Sequence, residues 1–191
     1  MMATTSATAR DRAAADYLAA HSLYADARPD SITYQAGVAQ CTRHSPLGTV
    51  VLVFAPRTAC STITAHVAAA RAAGNTVGIA LTYPVSPSLT ALCEGMELAA
   101  GREHVHRLRE GDAEWSMDAA PHTIAVVTEK YAASGENIHL SDVKTVVGRT
   151  RLVQFYSSRT VIRIPIEVVD IPRPTRVSAQ PTPALPQRQD R

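Results

Sequence analysis

The chain has 191 residues, enough for one ordinary domain with a small appendage. Hydrophobic residues make up 46% and charged residues 19%, a balance that excludes a fully disordered protein and is typical of a globular one. The longest apolar run, residues 50–56, is too short to cross a bilayer, and no apolar stretch follows Arg10 and Arg12. We therefore expect no membrane segment and no secretory signal.

The formal net charge of +2 is unevenly distributed along the chain. Residues 1–140 carry 10 Lys and Arg against 13 Asp and Glu, whereas residues 141–191 carry 9 against 4. A basic C-terminal part can face nucleic acid or an acidic partner, although such a bias is more often a solvated face and a tail.

The three cysteines are Cys41, Cys60 and Cys93, an odd number without CxxC spacing. This usage favours a reducing, cytoplasmic environment and argues against a disulfide framework or a structural zinc site. We interpret each cysteine as a small apolar residue of the core and expect a cytoplasmic protein.

The first forty residues predict a helix followed by a strand. Residues 1–10 are polar, and we expect them to be disordered. The alanine-rich segment 12–23 predicts a helix that ends before Pro29, since the residue that precedes a proline avoids the helical region. We expect a short strand within residues 31–42.

The next segment predicts a strand, a helix and a second strand. Residues 49–54 form a continuous apolar and β-branched run, typical of a strand buried on both faces, and residues 76–81 repeat this pattern. Between them we expect a helix that is capped by Ser61 or Thr62 and followed by Gly74 in a left-handed conformation.

Three further elements extend this unit: a helix at 89–100 and strands at 104–108 and 123–128. Parallel crossovers of this kind are right-handed in nearly all known cases. The sequence therefore predicts an α/β fold over residues 11–135, with a Rossmann-like, mainly parallel sheet and helices on its faces.

The pattern changes after residue 135. Residues 136–171 predict a β-rich extension, in which the residues 157–159 join two strands as a C-terminal β-hairpin. Alternation places Val161, Arg163 and Pro165 on one strand face and Ile162 and Ile164 on the other, and the isoleucine face needs a cover. The proline-rich tail, 172–191, is expected to be disordered.

Two short motifs in this region carry a family resemblance. Pro46, Leu47 and Gly48 stand before the first strand and Pro56 after it, and residues 73–77 read AGNTV. This arrangement, from residue 34 to residue 128, resembles the cofactor-binding half of the aldehyde dehydrogenase superfamily.

The family's functional residues do not carry over to this chain. The asparagine that helps to hold the oxyanion aligns near Thr58, the ribose-binding lysine with Ala80, and the glutamate that follows with Tyr83. Val127 and Thr128 replace the Gly-Ser turn beside the nicotinamide, and the catalytic domain has no counterpart. The resemblance thus implies a truncated, degenerate relative without the activity.

The resemblance and the expected helix start indicate which residues would hold an anionic dinucleotide. Helix N-terminal amides and a basic side chain are the usual anchors, but neither GxGxxG nor GxxxxGK[ST] occurs. We expect no cofactor, with NAD or NADP as the alternative. The candidate contacts for that alternative are Pro56, Arg57, Thr58, Ser61, Gly74 and Asn75.

The basic C-terminal part offers a second kind of contact. Its arginines could meet phosphates and its aromatic rings could stack on bases, or the same residues could contact a protein partner. The candidates are Arg149, Arg151, Phe155, Tyr156, Arg159 and Arg163.

Three functional hypotheses follow. The first is a non-catalytic, aldehyde-dehydrogenase-like interaction module that forms homo-oligomers or assists a larger enzyme, an arrangement with loose parallels in bifunctional proline-catabolic enzymes. The alternative is a regulatory protein that binds a nucleotide or nucleic acid. An active NAD(P)-dependent oxidoreductase is the third, and we expect neither a metal site nor membrane association.

Overall fold

The computed structural model describes residues 2–27, 30–81, 83–108, 122–128, 131–134, 136–139 and 145–165. Four helices and nine strands lie within these ranges. In chain order they are α1 (Met2–Ala25), β1 (Ser31–Gln35), β2 (Val38–Pro46), β3 (Thr49–Phe54), α2 (Cys60–Ala72), β4 (Thr76–Leu81), α3 (Pro87–Ala100), β5 (Val105–Arg107), β6 (His122–Thr128), β7 (Tyr131–Ser134), β8 (Glu136–His139), α4 (Val146–Phe155) and β9 (Ser157–Pro165).

The larger of two sheets has six strands in the order β5-β4-β3-β6-β7-β8. Its first four strands are parallel, and β7 and β8 pair antiparallel at the far edge. The apolar runs at 49–54 and 76–81 form the neighbouring strands β3 and β4, as their sequence predicts. The predicted α/β class with a parallel sheet is confirmed.

The four described helices contribute to one core cluster, which contains alternate residues of the central strands. Leu52, Phe54 and Ile79 face this cluster, whereas Val51 and Ala80 join a second, smaller one. Since successive strand residues point to opposite faces, the helices pack on one face of the sheet. The expectation of helices on both faces is therefore not met within the described residues.

Helix α1 begins at Met2, so the expectation of disorder over residues 1–10 is wrong from that residue onward. The N-terminal residues continue an alanine-rich helix, which packs across α3. The two helices approach closely at Gly95, where a Cβ atom would lie 2.6 Å from the carbonyl oxygen of Arg10.

The second sheet, called sheet A below, has three antiparallel strands in the order β1-β2-β9. The single short strand expected within 31–42 is instead a hairpin, in which Ala36 and Gly37 turn the chain with φ of 50° and 75°. All nine residues of β2 pair with β9.

The predicted C-terminal hairpin through residues 157–159 is wrong. Residues 146–155 form helix α4, whose cap Thr145 accepts a hydrogen bond from the Gly148 amide at 3.0 Å. Leu152, Val153 and Tyr156 are buried on one side of this helix, so packing outweighs the β propensity of its residues. Strand β9 follows and pairs with β2. The predicted tail, 172–191, lies outside the described residues.

Candidate functional site

The two motifs that carry the family resemblance contact each other directly. The Asn75 side-chain oxygen accepts hydrogen bonds from the amides of Leu47 at 2.6 Å and Gly48 at 3.1 Å. Gly74 has the predicted left-handed conformation, with φ of 92°, and a Cβ atom there would lie 3.4 Å from Pro46 Cβ. The PLG and AGN motifs therefore form one structural joint between β3 and β4.

Asn75 also binds two carbonyl groups on its other side. Its Nδ2 donates to the Ala70 carbonyl at 3.0 Å and to the Tyr156 carbonyl at 2.7 Å, and the residue is fully buried. An amide side chain offers two donors and two acceptor positions, and all four are in use. Asn75 has no hydrogen-bonding capacity left for a cofactor.

The structure divides the six candidate cofactor contacts into two groups. Pro56, Arg57, Thr58 and Ser61 lie at the carboxyl end of β3 and the start of α2, whereas the pair at 74–75 follows the end of α2. The 13 residues of α2 make a helix about 20 Å long, which separates the groups. The six residues do not form one site.

The first group lies where ligands usually bind in parallel α/β sheets. Strands β4 and β5 extend to one side of β3 and β6 lies on the other, so the carboxyl ends of β3 and β6 flank a point of reversed strand order. Arg57 is exposed there with φ of 71°, and the Thr58 hydroxyl donates to the Ala55 carbonyl at 2.7 Å.

The expected cap of α2 by Ser61 or Thr62 is wrong. The N-cap is Ala59, which supplies no side-chain hydrogen bond. The Thr62 amide donates to the Ala59 carbonyl at 3.0 Å, so the amides of Cys60 and Ser61 are those that this helix start leaves to solvent or to an anion. Among the described residues, this edge contributes a helix start and Arg57. Ala80 on β4 is fully buried at the position where the family resemblance expects a lysine.

A buried histidine and tyrosine join α2 to the end of α4. His66 Nδ1 and the Tyr156 hydroxyl share a hydrogen bond, and both residues are fully buried. Burial lowers the pKa of His66 to about 4 and raises the pKa of Tyr156 well above its usual value. In the folded state the His66 imidazole and the Tyr156 hydroxyl are therefore both uncharged at neutral pH.

The candidate nucleic-acid contacts differ in their exposure to solvent. Arg151 is exposed on α4, and Arg159 and Arg163 are exposed on the same face of β9. Arg149 and Phe155 are half-buried. The Tyr156 ring has no exposed surface on which a base can stack, which corrects its predicted role.

The opposite face of sheet A is apolar and open to solvent. Ile32 pairs with Cys41 and Cys41 with Ile162, while Tyr34 pairs with Ala39 and Ala39 with Ile164. We call these six residues the apolar face. The exposed fractions are 62% for Ile32, 72% for Tyr34, 47% for Ile162 and 54% for Ile164.

The sequence predicted the two isoleucines that β9 contributes to the apolar face but missed the residues that β1 contributes. The alternation in SITYQ, residues 31–35, was the available signal. It places Ile32 and Tyr34 on one side of the strand, but only the pairing of β1 with β2 shows that they extend the β9 surface.

No protein-family model matches the chain, and no curated protein matches it. Among the described helices, none combines the length and the apolar character that crossing a bilayer requires. Inferences about function consequently rest on the geometry given above.

Proposed function

We propose that the chain is a non-catalytic interaction module that self-associates through the apolar face of sheet A. The observation that carries this proposal is the exposure of Ile32, Tyr34, Ile162 and Ile164 on one contiguous surface. Contiguous apolar surface of this kind is typical of an interface. Full burial of one such side chain contributes roughly 1.5–3 kcal/mol before the costs of association.

The favoured occupant of this surface is a second copy of the chain. The centre of the apolar face carries no charge, and Arg43 lies toward its end beside Thr160. The apolar faces of two copies can therefore pack together at their centres without burying charges of the same sign. The other face of sheet A presents Arg159 and Arg163, which would repel their counterparts in a symmetric pair.

We also propose that the fold is a truncated, Rossmann-like relative of the aldehyde dehydrogenase cofactor domain. The parallel order β5-β4-β3-β6 and the direct contact between the PLG and AGN motifs support this relationship. Both motifs act within the scaffold, which is the part of the family pattern that this chain retains. The free cysteines fit a cytoplasmic location.

Loss of dinucleotide binding is part of the same proposal. Within the described residues no lysine lies beside the helix start at Ala59, and Asn75 is committed to the core. Arg57 is the one cationic residue of the candidate cofactor set. These contacts are too few to replace the usual pyrophosphate and ribose anchors.

One observation favours the alternative of nucleic-acid binding. Arg159 and Arg163 line a shallow depression on sheet A together with Gln40 and Val161. Two arginines on one strand face can contact successive phosphates, but no exposed aromatic ring lies in this lining to stack on bases.

Light scattering on the intact chain tests self-association, with calorimetric titrations of NAD and NADP beside it. The proposal predicts a mass of at least twice the 20.4 kDa of one chain and no dinucleotide binding in the micromolar range. A monomer that binds oligonucleotides in a salt-dependent way would favour the alternative. Micromolar dinucleotide binding would contradict the non-catalytic assignment.

A further inference from the structure

A small cleft lies between sheet A and the C-terminal ends of two helices. It measures about 240 Å³ and is lined by Asp30, His44 and Ser157, together with the last residues of α2 and Val153 of α4. His44 belongs to the face of sheet A opposite the apolar face. The cleft is therefore separate from the proposed self-association surface.

The polar groups of the cleft centre on Asp30. Its Oδ1 accepts a hydrogen bond from the His44 backbone amide at 2.8 Å and lies 3.5 Å from His44 Nδ1. The Asp30 side chain is 58% exposed, so its carboxylate is accessible to a ligand. The His44 side chain is only 5% exposed, and Nδ1 makes no hydrogen bond within the described part of the chain.

Two helix C-termini add negative potential to the cleft. Helix α2 ends at Ala72 and α4 ends at Phe155, and residues from both ends line the cleft. The carbonyl end of a helix carries a partial negative charge of roughly half an elementary charge. The Ser157 hydroxyl donates to the Gln154 carbonyl at 2.9 Å, which leaves its oxygen as an acceptor.

Among the described residues, two arginines with partners near the cleft do not line it. Arg71, in the last turn of α2, donates from Nη1 to the Asn75 carbonyl at 2.5 Å. Arg159 pairs with His44 across the sheet, but it lines the neighbouring depression with Gln40 and Arg163. Within the described residues, the lining of the cleft therefore holds one carboxylate, one imidazole and one hydroxyl, and no arginine or lysine.

We propose that this cleft binds an organic cation, either a guanidinium or a primary ammonium group. The Asp30 carboxylate supplies the charge, the helix ends add negative potential, and the Ser157 oxygen supplies a further acceptor. The volume of about 240 Å³ is below the roughly 300 Å³ at which small-molecule pockets begin. The cleft therefore fits one functional group, such as the end of an arginine or lysine side chain, and not a whole cofactor.

The test follows the imidazole signals of His44 by NMR. These signals are assigned by their absence from the spectrum of the His44→Gln variant. Methylguanidinium and methylammonium chloride serve as the probes, and methylurea is the neutral control of the same shape as methylguanidinium. The proposal predicts saturable shifts of the His44 signals with at least one cation and none with methylurea. Equal shifts with methylurea, or none with either cation, would overturn it.

Substitution of Asp30 tests the origin of the affinity. Asp30→Asn removes the charge but keeps an oxygen that can accept the His44 amide, so the local fold is retained. Loss of one charge-assisted hydrogen bond is expected to weaken cation binding about tenfold or more. Asp16→Asn, an equal change of charge at an exposed site on α1, should leave the affinity unchanged. Unaltered binding by Asp30→Asn would refute the site.

Discussion

A single side chain, that of Asn75, joins three parts of the molecule. It accepts from the amides that precede β3, and it donates to carbonyls at the ends of α2 and α4. A buried polar group left without its partner costs about 1–3 kcal/mol. The joint therefore contributes more to stability than an ordinary surface hydrogen bond.

Asn75→Ala is expected to lower the free energy of unfolding by about 3 kcal/mol or more, since it leaves the Leu47 and Gly48 amides without an acceptor. Urea denaturation followed by circular dichroism measures the loss. Gln40→Ala, on the partly exposed surface of β2, should change stability by only about 0.5 kcal/mol. A loss at Asn75 as small as that would contradict a structural role.

His66 makes stability depend on pH. Its pKa is lowered by burial from 6.5 to about 4 in the folded state, so the unfolded chain binds a proton at a higher pH than the folded chain does. The stability that its neutral form contributes is complete above about pH 6.5 and is lost as the pH falls toward 4.

Between pH 7 and pH 5 this group alone should reduce the free energy of unfolding by about 2 kcal/mol. His21, whose pKa is lowered by burial and by Arg71, adds to the loss in the same direction. Urea titrations at several pH values should show a flatter profile for His66→Phe than for the unaltered chain. Leu98→Ala provides the control, because it changes an exposed position without a titratable group and should keep the original slope. A slope that His66→Phe leaves unchanged would be evidence against this assignment.

At the scale of elements, the crossing of α1 over α3 depends on Gly95. A Cβ atom there would lie 2.6 Å from the Arg10 carbonyl oxygen and 2.7 Å from Ala13 Cβ. The first of these neighbours is backbone, so a change of rotamer cannot relieve the contact, and α1 would have to move away.

Gly95→Ala should therefore destabilise the protein by about 2 kcal/mol, although alanine is the better helix former. Thermal unfolding followed at 222 nm reports the change. Leu98→Ala, at a 61% exposed position of the same helix, should change stability by about 0.5 kcal/mol or less. A gain in stability for Gly95→Ala would mean that helix propensity dominates and that the close crossing is not maintained.

The elements that sequence predicted well are those whose pattern is local. The apolar runs of β3 and β4 and the Gly74 turn were predicted because each needs only neighbouring residues. Helix α4 was missed because its valines and aromatic residues suggest a strand, while its tertiary contacts favour a helix. Local pattern also gives no sign that β9 pairs with β2, since these strands are far apart in sequence.

The candidate sites were predicted only in part, because the sequence shows local patterns but not the tertiary contacts that complete a site. Alternation identified Ile162 and Ile164, but the contribution of Ile32 became visible only through strand pairing. An asparagine in a Gly-Asn turn is equally consistent with ligand binding and with a structural role. Only its buried partners decide that Asn75 serves the scaffold.

At the scale of the whole molecule, the two sheets have different roles. The parallel sheet holds the core, with the helices packed on one face. Sheet A leaves its apolar face uncovered by the described chain, although burial of that face would be favourable. The proposed self-association would cover this face.

Sedimentation equilibrium of two lysine variants tests this central claim most directly. Ile162 lies on the apolar face and Val161 on the opposite face of the same strand, so Ile162→Lys and Val161→Lys place the same charge on different sides of sheet A. We expect the unaltered chain and Val161→Lys to have at least twice the 20.4 kDa of one chain, and Ile162→Lys to have the mass of a monomer. A monomeric unaltered chain, or an oligomer that Ile162→Lys leaves intact, would contradict the account.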